Sequence, residues 1–153
     1  MNPTEARPGI EGVHHLKLPV SDLGRSLQFY ERLLGARRLP EADHRREADG
    51  SLYAYILRAP GLGPMLELRL DPEQARRQCR FDPFTLAVRD RATLERWCRY
   101  LDAAGIPHSP ILTAIQAWVV VVEDPDGHRL RLYTLETHGR DLKPDEDDPW
   151  LGP

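Results

Sequence analysis

The chain lacks the features that would place it in several large functional classes. Its 153 residues contain only two cysteines, Cys79 and Cys98, and these form no CxxC pair, so neither a thiolate metal site nor a disulfide framework is indicated. No apolar run is long enough to cross a bilayer, and residues 1–12 lack the apolar core of a secretory signal. There is no glycine-rich phosphate loop and no local motif of a Ser-His-Asp or Cys-His nucleophile. These absences predict a cytoplasmic protein without a membrane partner.

Charge is also close to balance. The formal net charge is −3, so the composition gives no reason to expect nucleic acid as a partner. The hydrophobic content of 41% is ordinary for a globular protein. A chain of this length suits one compact domain with a sizeable core.

One pattern of secondary-structure signals occurs twice along the chain. In each half, alternating apolar residues predict a strand, and apolar residues at helical spacing then predict a helix. Ser21 or Asp22 can cap the first helix and Asp90 the second, and the helices would end at Gly35 and Gly105. The two alternating sets are Leu16, Leu18, Val20 and Phe84, Leu86, Val88.

Three further strands are predicted after each helix. They cover residues 37–40, 52–57 and 65–70 in the first half, and 107–111, 117–123 and 128–134 in the second. Each half therefore reads βαβββ, and the predicted class is α+β. We expect one domain over residues 8–136, with module one at about 10–70, module two at about 81–136 and a polar link at 71–80. The acidic tail, residues 137–153, is expected to be flexible or loosely docked, with Trp150 and Leu151 available as anchors.

The chain contains, in this order, His15, Asp22, the run Ser26-Leu27-x-Phe29-Tyr30, and the turn Asp124-Pro125-Asp126-Gly127. This arrangement resembles the vicinal-oxygen-chelate superfamily, which contains glyoxalases, bleomycin resistance proteins and dioxygenases. The resemblance covers roughly residues 10–136 and implies that the mixed sheets of the two modules curl into a cup that holds a small molecule. Because the superfamily includes both enzymes and proteins that sequester drugs, the fold does not decide whether this chain is an enzyme.

Period-two geometry predicts which side chains face the cup. If Leu16, Leu18 and Val20 pack beneath the helix, their neighbours on the strand point the other way. The same argument applies to the first strand of module two and to the last strand of each module. The predicted ligand-binding residues are His15, Lys17, Glu67, Arg69, Thr85, Arg131 and Tyr133.

The resemblance also implies four metal-ligand positions, on the first and last strands of the modules. These positions hold His15, Glu67, Pro83 and Arg131. Pro83 offers no side-chain donor, and the Arg131 guanidinium is a permanent cation that cannot bind a metal. We therefore expect a cup without the usual catalytic metal. Arg131 would replace the metal as the positive charge of the cup, and its guanidinium would either pair with Glu67 or bind an anionic ligand.

Other hypotheses remain open. The chain could be a metal-dependent lyase, isomerase or dioxygenase that binds Zn, Ni, Mn or Fe through His15, Glu67 and a third ligand, for which Asp82 is the candidate. His15 and Glu67 are also the candidates for catalytic proton transfer. In a purely structural interpretation, His15 is a hydrogen-bonded core residue and Glu67 and Arg131 form a buried ion pair. The expected partners are a small anionic or aromatic molecule and, as the resemblance implies, a second copy in a homodimer.

Overall fold

The computed structural model describes residues 6–152 and shows two curved mixed sheets with helices packed on one side of each. The predicted α+β class and the two βαβββ modules are confirmed, with one additional two-residue strand in module one. Module one contains β1 (His15–Val20), α1 (Leu23–Leu34), β2 (Arg37–Arg38), a 3-10 turn (Pro40–Ala42), β3 (His44–Arg45), β4 (Leu52–Arg58) and β5 (Met65–Leu70). A short helix, α2 (Pro72–Arg77), precedes module two. Module two contains β6 (Thr85–Val88), α3 (Arg91–Ala104), β7 (Leu112–Thr113), β8 (Ala117–Glu123) and β9 (Arg129–Thr137).

The two sheets have equivalent topologies. Sheet A has the strand order β1-β5-β4-β2, with β3 also paired to β4, and sheet B has the order β6-β9-β8-β7. In each sheet the first strand of the module runs parallel to the last, while the other pairs are antiparallel. This parallel pairing brings residues far apart in sequence side by side, for example Lys17 beside Glu67 and Thr85 beside Arg131.

The helices begin and end where local chemistry predicts. The Asp22 and Asp90 carboxylates accept hydrogen bonds from the backbone N–H groups of Arg25 and Thr93, which caps α1 and α3. Gly35 and Gly105 follow the helices with φ of 62° and 65°, a left-handed conformation that glycine adopts without a Cβ clash.

One apolar core joins both modules. It is formed by the inner faces of the two sheets, which turn toward α1 and α3. Leu18, Leu66 and Leu68 contribute from sheet A, and Leu130 and Leu132 from sheet B. Because side chains alternate across a strand, Lys17, Glu67 and Arg69 lie on the opposite, outer face of sheet A. Arg129, Arg131 and Tyr133 lie on the corresponding outer face of sheet B.

Two predicted segments differ from the structure. Residues 107–111 do not form a strand, apart from a single bridge between His108 and Val122, and β7 begins only at Leu112. Pro107 and Pro110 explain the difference, because proline has no N–H to donate to a strand partner. The polar link at residues 71–80 contains α2, which the Asp71 carboxylate caps and which has Pro72 in its first turn.

The C-terminal tail is docked rather than free. At edge strand β7, Asp145 and Thr113 exchange backbone and side-chain hydrogen bonds of 2.7 and 2.9 Å. Further along, the Arg129 guanidinium donates to the Pro149 carbonyl oxygen at 2.8 Å and lies 5.1 Å from the centre of the Trp150 ring. Since β8 lies between β7 and β9, residues 145–150 cross the outer face of sheet B. Among residues 6–152, no helix is both long and apolar enough to span a membrane.

Candidate functional site

A buried carboxylate surrounded by cations occupies the outer face of sheet A. Glu67 is fully buried, and its Oε1 atom lies 3.1 Å from an Arg69 guanidinium nitrogen and 3.0 Å from His44 Nδ1. Its Oε2 atom lies 3.4 Å from the Lys17 ammonium. The cationic side chains are themselves open to solvent, with exposed fractions of 49% for Lys17 and 37% for Arg69. One carboxylate thus holds two permanent cations at an accessible surface.

The strand register builds this cluster. Lys17 on β1 is the parallel partner of Glu67 on β5, and Arg69 follows two residues later on the same face. Burial by itself raises the pKa of the Glu67 carboxyl, but Arg69 and Lys17 together outweigh burial and lower that pKa below its ordinary value of 4.5. Glu67 is therefore ionised at neutral pH, and the cluster retains a net positive charge.

His44 and Tyr53 belong to this cluster, although sequence reasoning missed both as site residues. His44 lies on the two-residue strand β3, inside a connection with no hydrophobic periodicity, so no local pattern pointed to it. The Tyr53 ring lies 5.6 Å from the His44 ring, and the guanidinium carbons of Arg46 and Arg69 lie 5.2 and 5.3 Å from its centre. An adjoining cavity of about 600 Å³ is lined by Arg45, Arg46, Tyr53 and Arg69, with Glu47 and Asp71 as its acidic members. The cluster therefore combines positive charge with an aromatic surface.

His15 is not beside Glu67. It begins β1, is exposed, and is the strand partner of Met65, two residues before Glu67. Its Nδ1 atom lies 3.0 Å from Nδ1 of the neighbouring His14. The structure therefore brings together Lys17, Glu67 and Arg69 from the predicted set, and places His44 where His15 was expected.

The expected pair between Glu67 and Arg131 is wrong. Arg131 lies in sheet B, where its Nε atom is 3.0 Å from Oδ2 of Asp82. Burial raises the pKa of Asp82, and the nearby Arg131 guanidinium only partly offsets that effect. Thr85 stands opposite Arg131 in the register, with its hydroxyl 3.5 Å from Asp82, and Tyr133 follows on the same face. Sheet B thus has a separate and smaller polar group, because Arg131 and Glu67 belong to different sheets.

The donor set does not fit a catalytic divalent metal. Such an ion needs about three protein ligands and an open coordination position. Of the implied positions, Pro83 has no side-chain donor, Arg131 is a cation, and both Glu67 oxygens already face Lys17 or Arg69. Within residues 6–152, no three His, Cys, Asp or Glu side chains are grouped so as to hold a metal, and the alternative set of His15, Glu67 and Asp82 is not assembled.

Comparison with known proteins agrees with this architecture. The family model of the Glyoxalase/Bleomycin resistance protein/Dioxygenase superfamily matches residues 12–132. The chain belongs to this superfamily, as the sequence resemblance predicted. Among curated proteins, no sequence matches the chain significantly.

Several solved structures share the fold at low sequence identity. The fosfomycin resistance protein FosX from Listeria monocytogenes superposes with a TM-score of 0.65 at 14% identity, over 84% of this chain and 96% of FosX. TnmS3, an antibiotic binding protein from a Streptomyces species, has a TM-score of 0.63 at 19% identity, over 84% and 98% of the two chains. Lactoylglutathione lyase from Agrobacterium tumefaciens has a TM-score of 0.59 at 18% identity, over 84% and 96%. Because these relatives differ in function, the likeness establishes the fold alone.

Proposed function

We propose that this protein binds a small organic anion on the outer face of sheet A, without a catalytic divalent metal. The observation that supports this proposal is the excess of positive charge around Glu67. A single buried carboxylate fixes the positions of Lys17 and Arg69, but it cannot neutralise both. A ligand carboxylate or phosphonate would supply the missing negative charge through charge-assisted hydrogen bonds.

The aromatic surface of Tyr53 supports a flat organic group beside that charge. Its ring already lies near the guanidinium groups of Arg46 and Arg69, an arrangement that favours stacking of planar groups. The fold neighbours include an antibiotic binding protein and a fosfomycin resistance protein. Binding of a small molecule is therefore consistent with what this fold does elsewhere.

The cluster around Glu67 is better suited to binding an anion than to catalysing proton transfer. A general base works best when its pKa is near the operating pH, whereas the pKa of Glu67 lies below 4.5. Its oxygens are also held by Arg69 and Lys17. His15, the other catalytic candidate, is exposed beside His14 and outside this cluster. We therefore propose sequestration or transport of the anion rather than acid–base catalysis.

Phenylphosphonate, which carries both a dianionic group and a ring, is a suitable probe. We expect saturable binding by isothermal titration calorimetry, and binding weaker by about tenfold in Lys17→Met and in Arg69→Met, since a hydrogen bond to a charged group contributes about 1.5–3 kcal/mol. Arg58→Met, at the exposed end of β4, serves as the matched control and should bind as the wild type does. Equal affinity in all four proteins would rule out this site.

Metal content distinguishes the alternative of a metal-dependent enzyme. We expect protein that has been exposed to nickel, zinc, manganese or ferrous iron and then desalted to retain far less than one ion per chain. About one retained ion per chain, lost in His15→Ala or in Glu67→Gln, would contradict the metal-free proposal and favour a lyase, isomerase or dioxygenase.

We also propose that two copies associate, and that the protein acts in the cytoplasm, where the free thiols of Cys79 and Cys98 would stay reduced. Within the described residues, β1 and β6 are each paired on one side only, and an open strand edge is a surface that a second chain can use. Light scattering should then give twice the chain mass of 17.5 kDa. A mass of one chain at micromolar concentration would exclude the dimer.

A further inference from the structure

A second cavity lies on the inner side of the sheets, where the two modules meet. We call it the inter-module groove. Its volume is about 780 Å³, within the range of roughly 300–1,000 Å³ that is usual for small-molecule sites. Module one contributes the end of α1 and the turn after β4, and module two contributes β6 and α3. Leu16 and Leu86, which line it, are inner-face residues, so the groove is on the side of the sheets opposite Glu67.

Aromatic side chains form much of one wall of the groove. Phe84 precedes β6, and Trp97 and Tyr100 lie on α3 with their ring centres 5.7 Å apart in a T-shaped arrangement. All three rings remain partly or largely open to solvent, and Tyr100 is 45% exposed. Covering them with a flat apolar ligand would remove apolar surface from water, which favours binding.

The charged residues of the groove favour an anion. Arg32 on α1 and Arg96 on α3 line it, with Glu31 as its acidic member. Arg32 donates to the Ala104 carbonyl oxygen at 3.1 Å, and Arg96 donates to the Thr93 hydroxyl at 3.0 Å. In the described contacts each guanidinium thus uses one of its five N–H donors, and the others can reach a ligand.

We propose that the inter-module groove is a binding site for a small aromatic anion, with its rings against Phe84 and Trp97 and its acidic group at Arg96. Apolar walls and a cationic rim are together complementary to an aromatic anion. They are not complementary to a neutral lipid or to a cation. This site is on the opposite side of the sheets from the Glu67 cluster, so its test does not depend on anion binding at that cluster. It does require that a dimer leave the groove open, because β6 both lines the groove and has a free edge.

The fluorescent dye 8-anilinonaphthalene-1-sulfonate is a direct probe, since it combines aromatic rings with a sulfonate. We expect the full-length, cooperatively folded protein to bind one dye per chain, with a saturable rise in emission. Arg96→Gln should weaken binding about fivefold or more through the loss of a charge-assisted contact. Ala59→Trp, which places a large ring in the groove from the turn after β4, should weaken it at least as much.

Two control variants test whether the dye binds in the inter-module groove rather than elsewhere on the protein. Arg99→Gln changes an exposed arginine of the same helix that does not line the groove, and Lys17→Met changes the outer face of sheet A. Both should bind the dye within about twofold of the wild type. The proposal is overturned if Arg96→Gln and Ala59→Trp bind as well as the controls, or if Lys17→Met alone abolishes binding. It is also overturned if the wild type binds no dye. Dissociation of a dimer by Ala59→Trp in light scattering would then show that a second copy occupies the groove.

Discussion

The Tyr30 hydroxyl on α1 donates a hydrogen bond of 2.7 Å to Oδ2 of Asp124, in the turn before β9, and so ties the first module to the second. Both residues are buried. The same carboxylate oxygen lies 2.9 Å from Nδ1 of His128, which must be the donor because a carboxylate can only accept. Asp124 Oδ1 accepts from the backbone N–H groups of Asp126 and His128, each at 2.9 Å. Burial, followed by the nearby Asp124 carboxylate, raises the pKa of the Tyr30 hydroxyl well above 10.0, so it remains a donor.

Tyr30→Phe should lower the free energy of unfolding by about 1–3 kcal/mol, because it removes a donor to a buried carboxylate while preserving the ring. Urea denaturation measures this change. Tyr100→Phe is the matched control, since the Tyr100 hydroxyl donates to the Arg32 carbonyl oxygen at a partly exposed position. That bond also joins the two modules, but its cost should be smaller because its site is partly exposed. Equal costs for the two variants would contradict the penalty expected for leaving the buried Asp124 carboxylate without its donor.

Gly127→Ala should destabilise the turn before β9 for two separable reasons. The residue has φ of 85°, which costs an alanine about 1–2 kcal/mol, and the added Cβ would lie 2.7 Å from Cys79 Sγ. Gly50→Ala, at φ of 71° with no atom within 4 Å, isolates the backbone cost. In a Cys79→Ala background, the cost of Gly127→Ala should fall to the level of Gly50→Ala. An unchanged cost in that background would show that the sulfur contact is unimportant.

Glu67→Gln should change how the free energy of unfolding depends on pH in the acidic range. Since the pKa of Glu67 is lowered in the folded protein, its ionised form contributes stability that is fully present above 4.5 and is lost as pH falls through the lower, folded-state pKa. Near neutral pH the variant should be less stable by about 2 kcal/mol, as Lys17 and Arg69 lose their anion. This difference should shrink below pH 4.5. A difference that stays constant with pH would argue against the ion pairs.

Trp150→Ala should loosen the tail from sheet B. The Trp150 ring lies over the Arg129 guanidinium, a contact that contributes about 0.5–1 kcal/mol at an exposed site. Amide hydrogen exchange across residues 145–151 should accelerate, with little change in β8 and β9. Leu142→Ala, an exposed change in the same tail, is the control and should leave exchange in residues 145–151 unaltered.

The elements of the fold could be read from local signals. Alternating apolar residues located β1 and β6, while Asp22, Asp90, Gly35 and Gly105 set the ends of α1 and α3. Each of these signals depends only on residues close together in sequence, because strand pleating and helix capping are local effects. Residues 107–111 were predicted as a strand by similarity between the two halves, but Pro107 and Pro110 lack the N–H donors that a strand needs. Strand β3 and helix α2 were not predicted.

The candidate site could be predicted only in part. Lys17, Glu67 and Arg69 were predicted on one face from the alternation of side chains along a strand, and they lie there. The parallel pairing of β1 with β5, which places Lys17 beside Glu67, was not predicted. His44 could not be found, since β3 carries no periodicity and reaches Glu67 only through its pairing with β4. Pairing of Arg131 with Glu67 was one of two expected alternatives, because the resemblance implies that both occupy metal-ligand positions of the cup. The two residues lie in different sheets, and Arg131 pairs with Asp82 instead.

The sequence alone thus determined two βαβββ modules, their helix caps and the alternation of faces along each strand. All of these depend on contacts between near neighbours or on a repeated register. The tertiary structure decided which charges meet, because ion pairs depend on distances of a few ångströms between distant segments. In the folded protein Glu67 contacts Lys17, His44 and Arg69, whereas Arg131 pairs with Asp82. The tail packs across sheet B, and an apolar groove lies between the modules.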